Sequence, residues 1–399
     1  MEAHRWIIHL DLDAFFCAVE EQRDPRLRGL PFAVGGRPNE RGVVSSCSYA
    51  ARRYGVHSAM PMAQALRLCP QLKILSPHHG SYKQASHQVM DTLHELTPSV
   101  EQISIDEAFI EVTGSPAEVA DIARDLQRQI REGLGLPCSL GVSSNKLVAK
   151  IATDVGKAAS KGDTPPNAIT IVPAGDEAAF LAPLPVEMLW GVGGKTAVRL
   201  AKLGITTIGD LAGHPEWELV RTLGKVGWDL VQRARGIDKR PIVTSRQAKS
   251  ISQEVTFAHD LEDGRVLRQT LRDQAEQVTQ RLDKQNLTAK TVKLKLRWPD
   301  FTTLTRQTTL TKPTHQEEAI AKAAIQLFER VWENGRAVRL LGLGVSGLDS
   351  PPRQIGLWDA EDIADRKADT EKERRLQAAI KALQERFGEQ VLWRGLPEE

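Results

Sequence analysis

Residues 6–12 alternate between apolar and polar positions. Ile8, Leu10 and Leu12 lie to one side, and His9 and Asp11 to the other. This pattern predicts a half-buried strand that ends on an acid. A second strand is expected over residues 102–105; it reaches Asp106-Glu107 and continues through residues 109–112 as a hairpin partner. The period then lengthens. Val119, Ile122, Leu126 and Ile130 mark one face of a helix, for which Ser115-Pro116 supplies an N-cap and a first-turn proline. A third strand over residues 138–142 gives way to a helix opened by Ser143-Ser144 and carrying Leu147, Ile151 and Val155. Between Asp24 and about Pro77 the pattern predicts only short helical stretches and turns, a small inserted subdomain that includes the basic segment from Tyr49 to Gly55. Interleaved strands and helices make this first unit α+β.

After a loop over residues 158–167, rich in Pro and Gly, short helices punctuated by glycine run to Gly236 and predict a small helical unit. Residues 237–249 lack periodicity and carry Lys239, Arg240, Arg246 and Lys249 around Pro241, the composition of a basic linker. Residues 250–348 then read strand, helix (Leu267, Leu271, Val278, Leu282), two strands, helix (Ile320, Ala324, Leu327, Val331) and strand, a β-α-β-β-α-β order. The tail, residues 349–399, is charged and predicts a helix around Leu376, Ile380, Leu383 and Phe387, capped by Gly388.

A chain of 399 residues exceeds one compact core and divides naturally into two to four units. With 41% apolar and 26% charged residues, collagen-like, disordered and membrane classes are excluded. The N-terminus meets acids at Asp11 and Asp13 without an apolar run, so a cytoplasmic location and no membrane partner are expected. Cys17, Cys47, Cys69 and Cys138 form no C-x-x-C pair and read as small buried hydrophobes; His78-His79 and the other histidines show no metal-binding spacing. A net charge of +2 announces no partner by itself, so local placement must.

Three placements suggest chemistry. Asp11, Asp106 and Glu107 at the ends of neighbouring strands would repel one another unless protons or cations neutralise them, and hard divalent cations suit oxygen donors; the alternative is solvated strand-end acids. Lys293, Lys295 and Arg297 alternate with Val292, Leu294, Leu296 and Trp298, giving one strand an apolar face and a basic face of a single sign, which suits phosphate contact. The run Leu189-Trp190-Gly191-Val192-Gly193-Gly194-Lys195-Thr196, with a weaker copy at Leu223-Gly224-Lys225-Val226-Gly227, resembles a helix-hairpin-helix loop whose backbone N–H groups hold a DNA phosphate; the alternative is a plain helix connector.

The segment Asp11-Leu12-Asp13-Ala14-Phe15-Phe16-Cys17-Ala18-Val19-Glu20 resembles the opening motif of the Y-family translesion DNA polymerases, DinB-like branch, and Ser104-Ile105-Asp106-Glu107-Ala108-Phe109 their second acidic motif. In the same order follow Tyr49-Ala50-Ala51-Arg52-Arg53-Tyr54-Gly55-Val56, Ser58-Ala59-Met60-Pro61 and the run from Gly141 to Ala152; the resemblance spans about residues 5–348. It implies a right-hand architecture: a palm at 1–14 and 78–167, fingers at 15–77, a helix-hairpin-helix thumb at 168–236, a linker at 237–249 and a little finger at 250–348. The implied activity is DNA-directed DNA synthesis across lesions by two-metal phosphoryl transfer, without a proofreading exonuclease. Mg²⁺ is the implied cofactor, with Mn²⁺ as substitute. Primer-template DNA and deoxynucleoside triphosphates are the implied partners of a monomer.

Carried over by position, Asp11, Asp106 and Glu107 are the metal ligands, joined by the backbone carbonyl of Leu12, with Asp13 behind them as a supporting acid. Tyr49 and Arg52 hold the triphosphate. Lys157 matches the phosphate-binding lysine, but the usual Lys-Pro-Asn/Asp-Gly run is replaced by Lys157-Ala158-Ala159-Ser160-Lys161-Gly162, which leaves Lys161 in competition. Phe16, two residues after Ala14, matches the steric gate against ribonucleotides, while its neighbour Phe15 is assigned to the core. Gly191, Gly193 and Lys195 of the thumb, with Lys293, Lys295 and Arg297 of the little finger, contact DNA. Gln354-Ile355-Gly356-Leu357-Trp358 resembles a sliding-clamp peptide in which Gln354, Leu357 and Trp358 make the contacts, although about forty residues follow it. Two rivals are a nucleotide cyclase on a similar palm, which would need neither hairpin loops nor a basic third unit, and a non-catalytic DNA-binding accessory protein, which would not need three carboxylates.

Overall fold

A computed structural model describes residues 5–114, 118–160 and 164–350. Its centre is a five-stranded sheet in the order Val100–Gln102, Glu107–Glu111, Ile7–Leu12, Cys138–Ser143, Ile169–Ile171, antiparallel except for the last, parallel pair. Ile8, Leu10 and Leu12 face a core filled from the helices Phe15–Arg23, His79–Leu96 and Val119–Arg128. The opposite face is closed too: Ile7 and His9 are fully buried, and helix Lys146–Ala159 packs over them. The expectation of a half-buried strand is therefore corrected, because a helix covers each side. Gly141 permits the second cover. A Cβ there would stand 2.0 Å from the Ala149 carbonyl oxygen and 2.5 Å from the Thr153 nitrogen, so only glycine lets the helix lie this close to the strand.

Several boundaries differ from the sequence reading. The hairpin strand is Val100–Gln102, and residues 103–106 form the turn, with the Ile103 and Ser104 N–H groups donating to the Glu107 carbonyl. Asp106 therefore sits in the turn, not on the strand. Helix Val119–Arg128 has Glu118 at its N-cap; the Ser115-Pro116 pair expected there lies outside the described residues. Asn145, not Ser143-Ser144, caps helix Lys146–Ala159, its side-chain oxygen accepting from the Val148 N–H at 3.0 Å. Ile169–Ile171 belongs to the central sheet, which continues past residue 167, where the sequence reading ended it.

Residues 24–77 contain more than helices and turns. They form a three-stranded sheet in the order Val44–Cys47, Phe32–Gly35, Lys73–Leu75, with its own core around Met62 and Cys69. Strands of three or four residues are too short to display a period, which is why alternation missed them. All four cysteines are buried and unpaired, as expected.

The helices Glu177–Leu181, Gly194–Ala201, Ile208–Gly213, Glu216–Leu223 and Lys225–Ala234 build the helical unit around a core that borrows Leu147, Val148, Ile151 and Ala152 from the palm-side helix. The third unit has the expected element order. Its sheet runs Thr303–Thr314, Thr288–Arg297, Val338–Asp349, Ser250–Leu261, with helices Gly264–Lys284 and Glu317–Glu329 covering one face.

The segment at residues 237–249 is docked, and much of its charge is consumed internally. Arg240 pairs with Asp238 at 2.7 Å and lies 4.5 Å over the Trp190 ring; Arg246 pairs with the buried Glu101. Among the described residues, no helix is long and apolar enough to cross a membrane.

Candidate active site

Strand pairing places Asp11 opposite Glu107 as Cα partners, and the Leu12 N–H donates to the Asp106 carbonyl at 3.0 Å. Three carboxylates thus meet at one end of two adjacent strands. Ser104 fixes the turn: its hydroxyl oxygen accepts from the N–H groups of Asp106 (3.2 Å) and Glu107 (3.0 Å), and its proton goes to Asp106 Oδ1 at 2.5 Å. That residue was not singled out in the sequence. Its signal is local, a serine two residues before an acidic pair, the spacing of a side-chain turn.

Burial raises the Asp11 carboxyl, with Glu107 and Asp106 adding repulsion and Lys157 opposing, and the sum pushes it up to about 7. The raised value expresses chiefly the cost of burying a charge at this strand end, which the neighbouring carboxylates add to and Lys157 only partly offsets. Lys157 Nζ donates to Asp11 Oδ1 at 2.7 Å and lies 3.3 Å from Asp13; Lys150 Nζ donates to Glu107 Oε1 at 3.0 Å. Lys150 was missed by sequence reasoning, although it stands two turns before Lys157 on the same helix face. Burial lowers Lys157, but Asp11 and Asp13 outweigh it and hold the ammonium above its ordinary range. The rival Lys161 lies outside the described residues.

Asp13 plays a different part. Fully buried, it accepts from Ser139 Oγ at 2.9 Å and from the Asn167 N–H at 3.1 Å, tying the strand end to the loop beyond. Beneath Glu107 lies His9, its Nδ1 2.9 Å from Thr153 Oγ1 and its Nε2 4.0 Å from Glu107 Oε2; burial keeps the imidazole well below its ordinary pKa, hence neutral.

The donor set is all oxygen and fits a hard divalent cation. Among the described residues no three carboxylate, imidazole or thiol groups are gathered as a finished cage. Lys157 and Lys150 occupy the carboxylates instead and stand in for the positive charge that such a cation would bring.

Helix Tyr49–Arg52 approaches from the fingers, with Ser48 capping it through the Ala51 N–H. The Arg52 guanidinium lies 4.5 Å over the Tyr49 ring, so the two act as one unit. The Tyr49 hydroxyl is buried without a hydrogen-bond partner, and Tyr49 also lines a cavity of about 280 Å³ with Asp13, Cys17, Arg28 and Pro165. An orphaned hydroxyl beside a cavity suits a polar ligand. Phe15 is buried in the core, whereas Phe16 stays partly exposed and stacks on Tyr82.

The proposed DNA contacts lie on separate units. Gly191 takes φ 107° in the thumb turn and Gly193 caps helix Gly194–Ala201, which carries Lys195. On the open face of the third sheet Lys293 is exposed, Lys295 pairs with Glu254 at 2.8 Å, and Arg297 Nε donates to Thr303 Oγ1 at 2.8 Å. The basic row is present, with part of its charge balanced by Glu254. The clamp-like peptide with Gln354, Leu357 and Trp358, like the tail helix, lies outside the described residues.

Residues 10–154 match the impB/mucB/samB family, residues 174–205 the family's helix-hairpin-helix motif, and residues 248–357 its C-terminal domain. A protein of Listeria monocytogenes serotype 4a named DNA polymerase IV is 41% identical over 351 residues, covering 87% of this chain and 96% of its own length. Another of that name from Dehalococcoides mccartyi (strain ATCC BAA-2266 / KCTC 15142 / 195) is 38% identical over 390 residues, covering 97% and 96%. Among solved structures, the Y-family DNA polymerase chimera Dbh-Dpo4(243-245)-Dbh superposes with a TM-score of 0.73 at 22% identity, covering 87% of this chain and all of that one, which shows a shared fold of palm, fingers, thumb and little finger. The strand-end carboxylates, the hairpin thumb and the four-stranded third unit therefore have one common explanation: the chain belongs to the Y family of DNA polymerases and is a DNA-directed DNA polymerase similar to the DNA polymerase IV proteins.

Proposed function

We propose that this polymerase extends a primer 3′ end across damaged template positions by two-metal phosphoryl transfer, without proofreading, with Mg²⁺ as its metal and Mn²⁺ as substitute. The observation that carries the reading is the pairing of Asp11 with Glu107 beside Asp106, with Lys157 on Asp11. Asp11, Asp106, Glu107 and the Leu12 carbonyl would hold the ions. Bound there, divalent cations stabilise the attacking and leaving oxygens of an in-line displacement.

The chain's own groups do the rest. Lys157, which donates to Asp11, would together with Arg52 and the orphaned Tyr49 hydroxyl hold the triphosphate beside these carboxylates. Ser104 holds Asp106 in place throughout. Phe16 lies beneath the incoming sugar, and Phe15 anchors the turn in the core. Gly191, Gly193 and Lys195 grip one stretch of DNA backbone, and Lys293, Lys295 and Arg297 another; such contacts position a duplex without reading it. On this reading the palm covers residues 1–14 and 78–167, extended by the strand Ile169–Ile171, with the fingers at 15–77, the thumb up to 236 and the little finger at 250–348. A cytoplasmic monomer completes it.

Primer extension on undamaged and lesion-bearing templates tests the reading. Extension is expected with Mg²⁺ or Mn²⁺ and not with chelator, and a 3′-mismatched primer should not be trimmed. Failure on every template with both metals would refute it. Replacing Gln354, Leu357 and Trp358 by alanine should leave unaided extension unchanged and remove its stimulation by a loaded sliding clamp. Equal stimulation of both proteins would show that the peptide is coincidental.

A further inference from the structure

A group outside the metal site is built around Glu20. This carboxylate is buried on helix Phe15–Arg23, one turn beyond Phe16. Its Oε1 accepts from the Tyr82 hydroxyl at 2.5 Å and lies 2.9 Å from His78 Nδ1; its Oε2 accepts from Arg23 at 2.9 Å. Tyr82, from helix His79–Leu96, is fully buried, and burial followed by the Glu20 contact raises its pKa, so it stays a neutral phenol that donates. On its ring lies Phe16, with centroids 4.3 Å apart and planes inclined by 12°. His79 meets both rings edge-on, 6.5 Å from Phe16 and 6.0 Å from Tyr82. Phe16 is thus the partly exposed end of a stack whose buried end is bolted to a carboxylate.

A ring that selects by collision is only as selective as it is immobile. If Phe16 could swing to another rotamer, a 2′-hydroxyl would displace it instead of being refused. Burying a carboxylate in an apolar core is costly, and an apolar side chain of similar volume would often serve stability as well. What Glu20 adds is orientation: it fixes the Tyr82 ring plane, and the plane fixes Phe16. We propose that Glu20 and Tyr82 are positioning residues for sugar selection, holding the Phe16 ring against displacement by a ribonucleotide. The proposal rests on the reading of Phe16 as the ring beneath the incoming sugar.

The test is single-nucleotide insertion opposite template thymine, comparing kcat/KM for dATP and ATP in wild type, Phe16→Ala, Tyr82→Leu, Tyr82→Phe and Glu20→Gln. Phe16→Ala should show the largest rise in the ATP/dATP ratio. Tyr82→Leu, which removes the stack, should raise the ratio up to about tenfold, and Glu20→Gln and the near-isosteric Tyr82→Phe, which loosen the anchor, about two- to fivefold. Added to Phe16→Ala, Tyr82→Leu should change the ratio no further, since both act through one ring. A merely structural role would lower both substrates together and leave the ratio fixed, and that result overturns the proposal. If Phe16→Ala opens the site while the other three keep the wild-type ratio, the gate stands and the buttress falls. An unchanged ratio in Phe16→Ala removes the gate itself, and the proposal with it.

Discussion

Asp106→Ala and Glu107→Ala are each expected to lower nucleotide addition by about 10³-fold or more, since metal stabilisation of the transferring phosphoryl group amounts to several kcal/mol. Primer-template affinity should be retained or slightly increased. On the proposed reading DNA is held by the thumb turns and the basic strand, so removing a negative group from a site that would face phosphates relieves repulsion. The two variants differ in what they leave behind. Without Glu107, Lys150 loses its partner at 3.0 Å; without the Asp106 carboxylate, Ser104 keeps its backbone contacts and the turn persists. Extension at saturating Mg²⁺, read beside fluorescence anisotropy of labelled primer-template, separates chemistry from binding. Substantial extension by either variant would sink the assignment of these carboxylates. Loss of extension together with loss of DNA binding would show a collapsed site instead.

The strand that carries Asp11 was legible because it is long enough to alternate and ends beside an acid, whereas the strand read over residues 102–105 proved to be largely the turn that holds Asp106. Alternation placed Asp11 and Glu107 near the ends of neighbouring strands but left solvated acids as an alternative; the family resemblance grouped them, and the structure pairs them as Cα partners. The helix over Leu147 and Ile151 was equally plain, and so was the strand-helix order of the third unit. The fingers sheet was hidden for a physical reason: Val44–Cys47, Phe32–Gly35 and Lys73–Leu75 are stabilised by one another and by Met62 and Cys69 across sequence distance, not by any local period. The burial of His9 was hidden likewise, because alternation cannot reveal a second helix arriving on the polar face. Positions set by motif were easier to find than positions set by tertiary pairing. Lys157 followed from resemblance, whereas Lys150 and Glu20 matter through distant partners that no local pattern names.

The linker shows the same limit most clearly, and it yields the largest expected effect on stability. Glu101, on strand Val100–Gln102, is almost wholly buried, and so is Lys146, whose Nζ donates to Glu101 Oε2 at 2.7 Å and to the Pro241 carbonyl at 2.8 Å. The Val243 N–H donates to the same carboxylate at 2.9 Å, and Arg246 closes over the other oxygen. Burial pushes the Glu101 carboxyl up, but Lys146, the Val243 N–H and Arg246 outweigh it and hold it below the usual carboxylate range. With its folded value depressed, the group contributes its full stability above the unfolded pKa and loses it as pH falls through the folded one. Glu101→Ala should therefore cost about 3–5 kcal/mol at neutral pH, because it strands the Lys146 ammonium in the core with one carbonyl for company. The gap from wild type should narrow in acid. The double variant Glu101→Leu with Lys146→Met removes both charges at similar volume and should recover most of the stability, since a buried pair is often neutral against a packed apolar one. It should not restore the linker. Pro241, Val243 and Arg246 lose their anchor in both variants, so trypsin should cut after Arg246 or Lys249 faster in both than in wild type. Denaturant midpoints and cleavage rates measured side by side give the answer. A single variant with unchanged midpoint and unchanged cleavage would mean that the buried pair neither stabilises the palm nor holds the linker, whereas recovery of stability without recovery of protection assigns it both tasks.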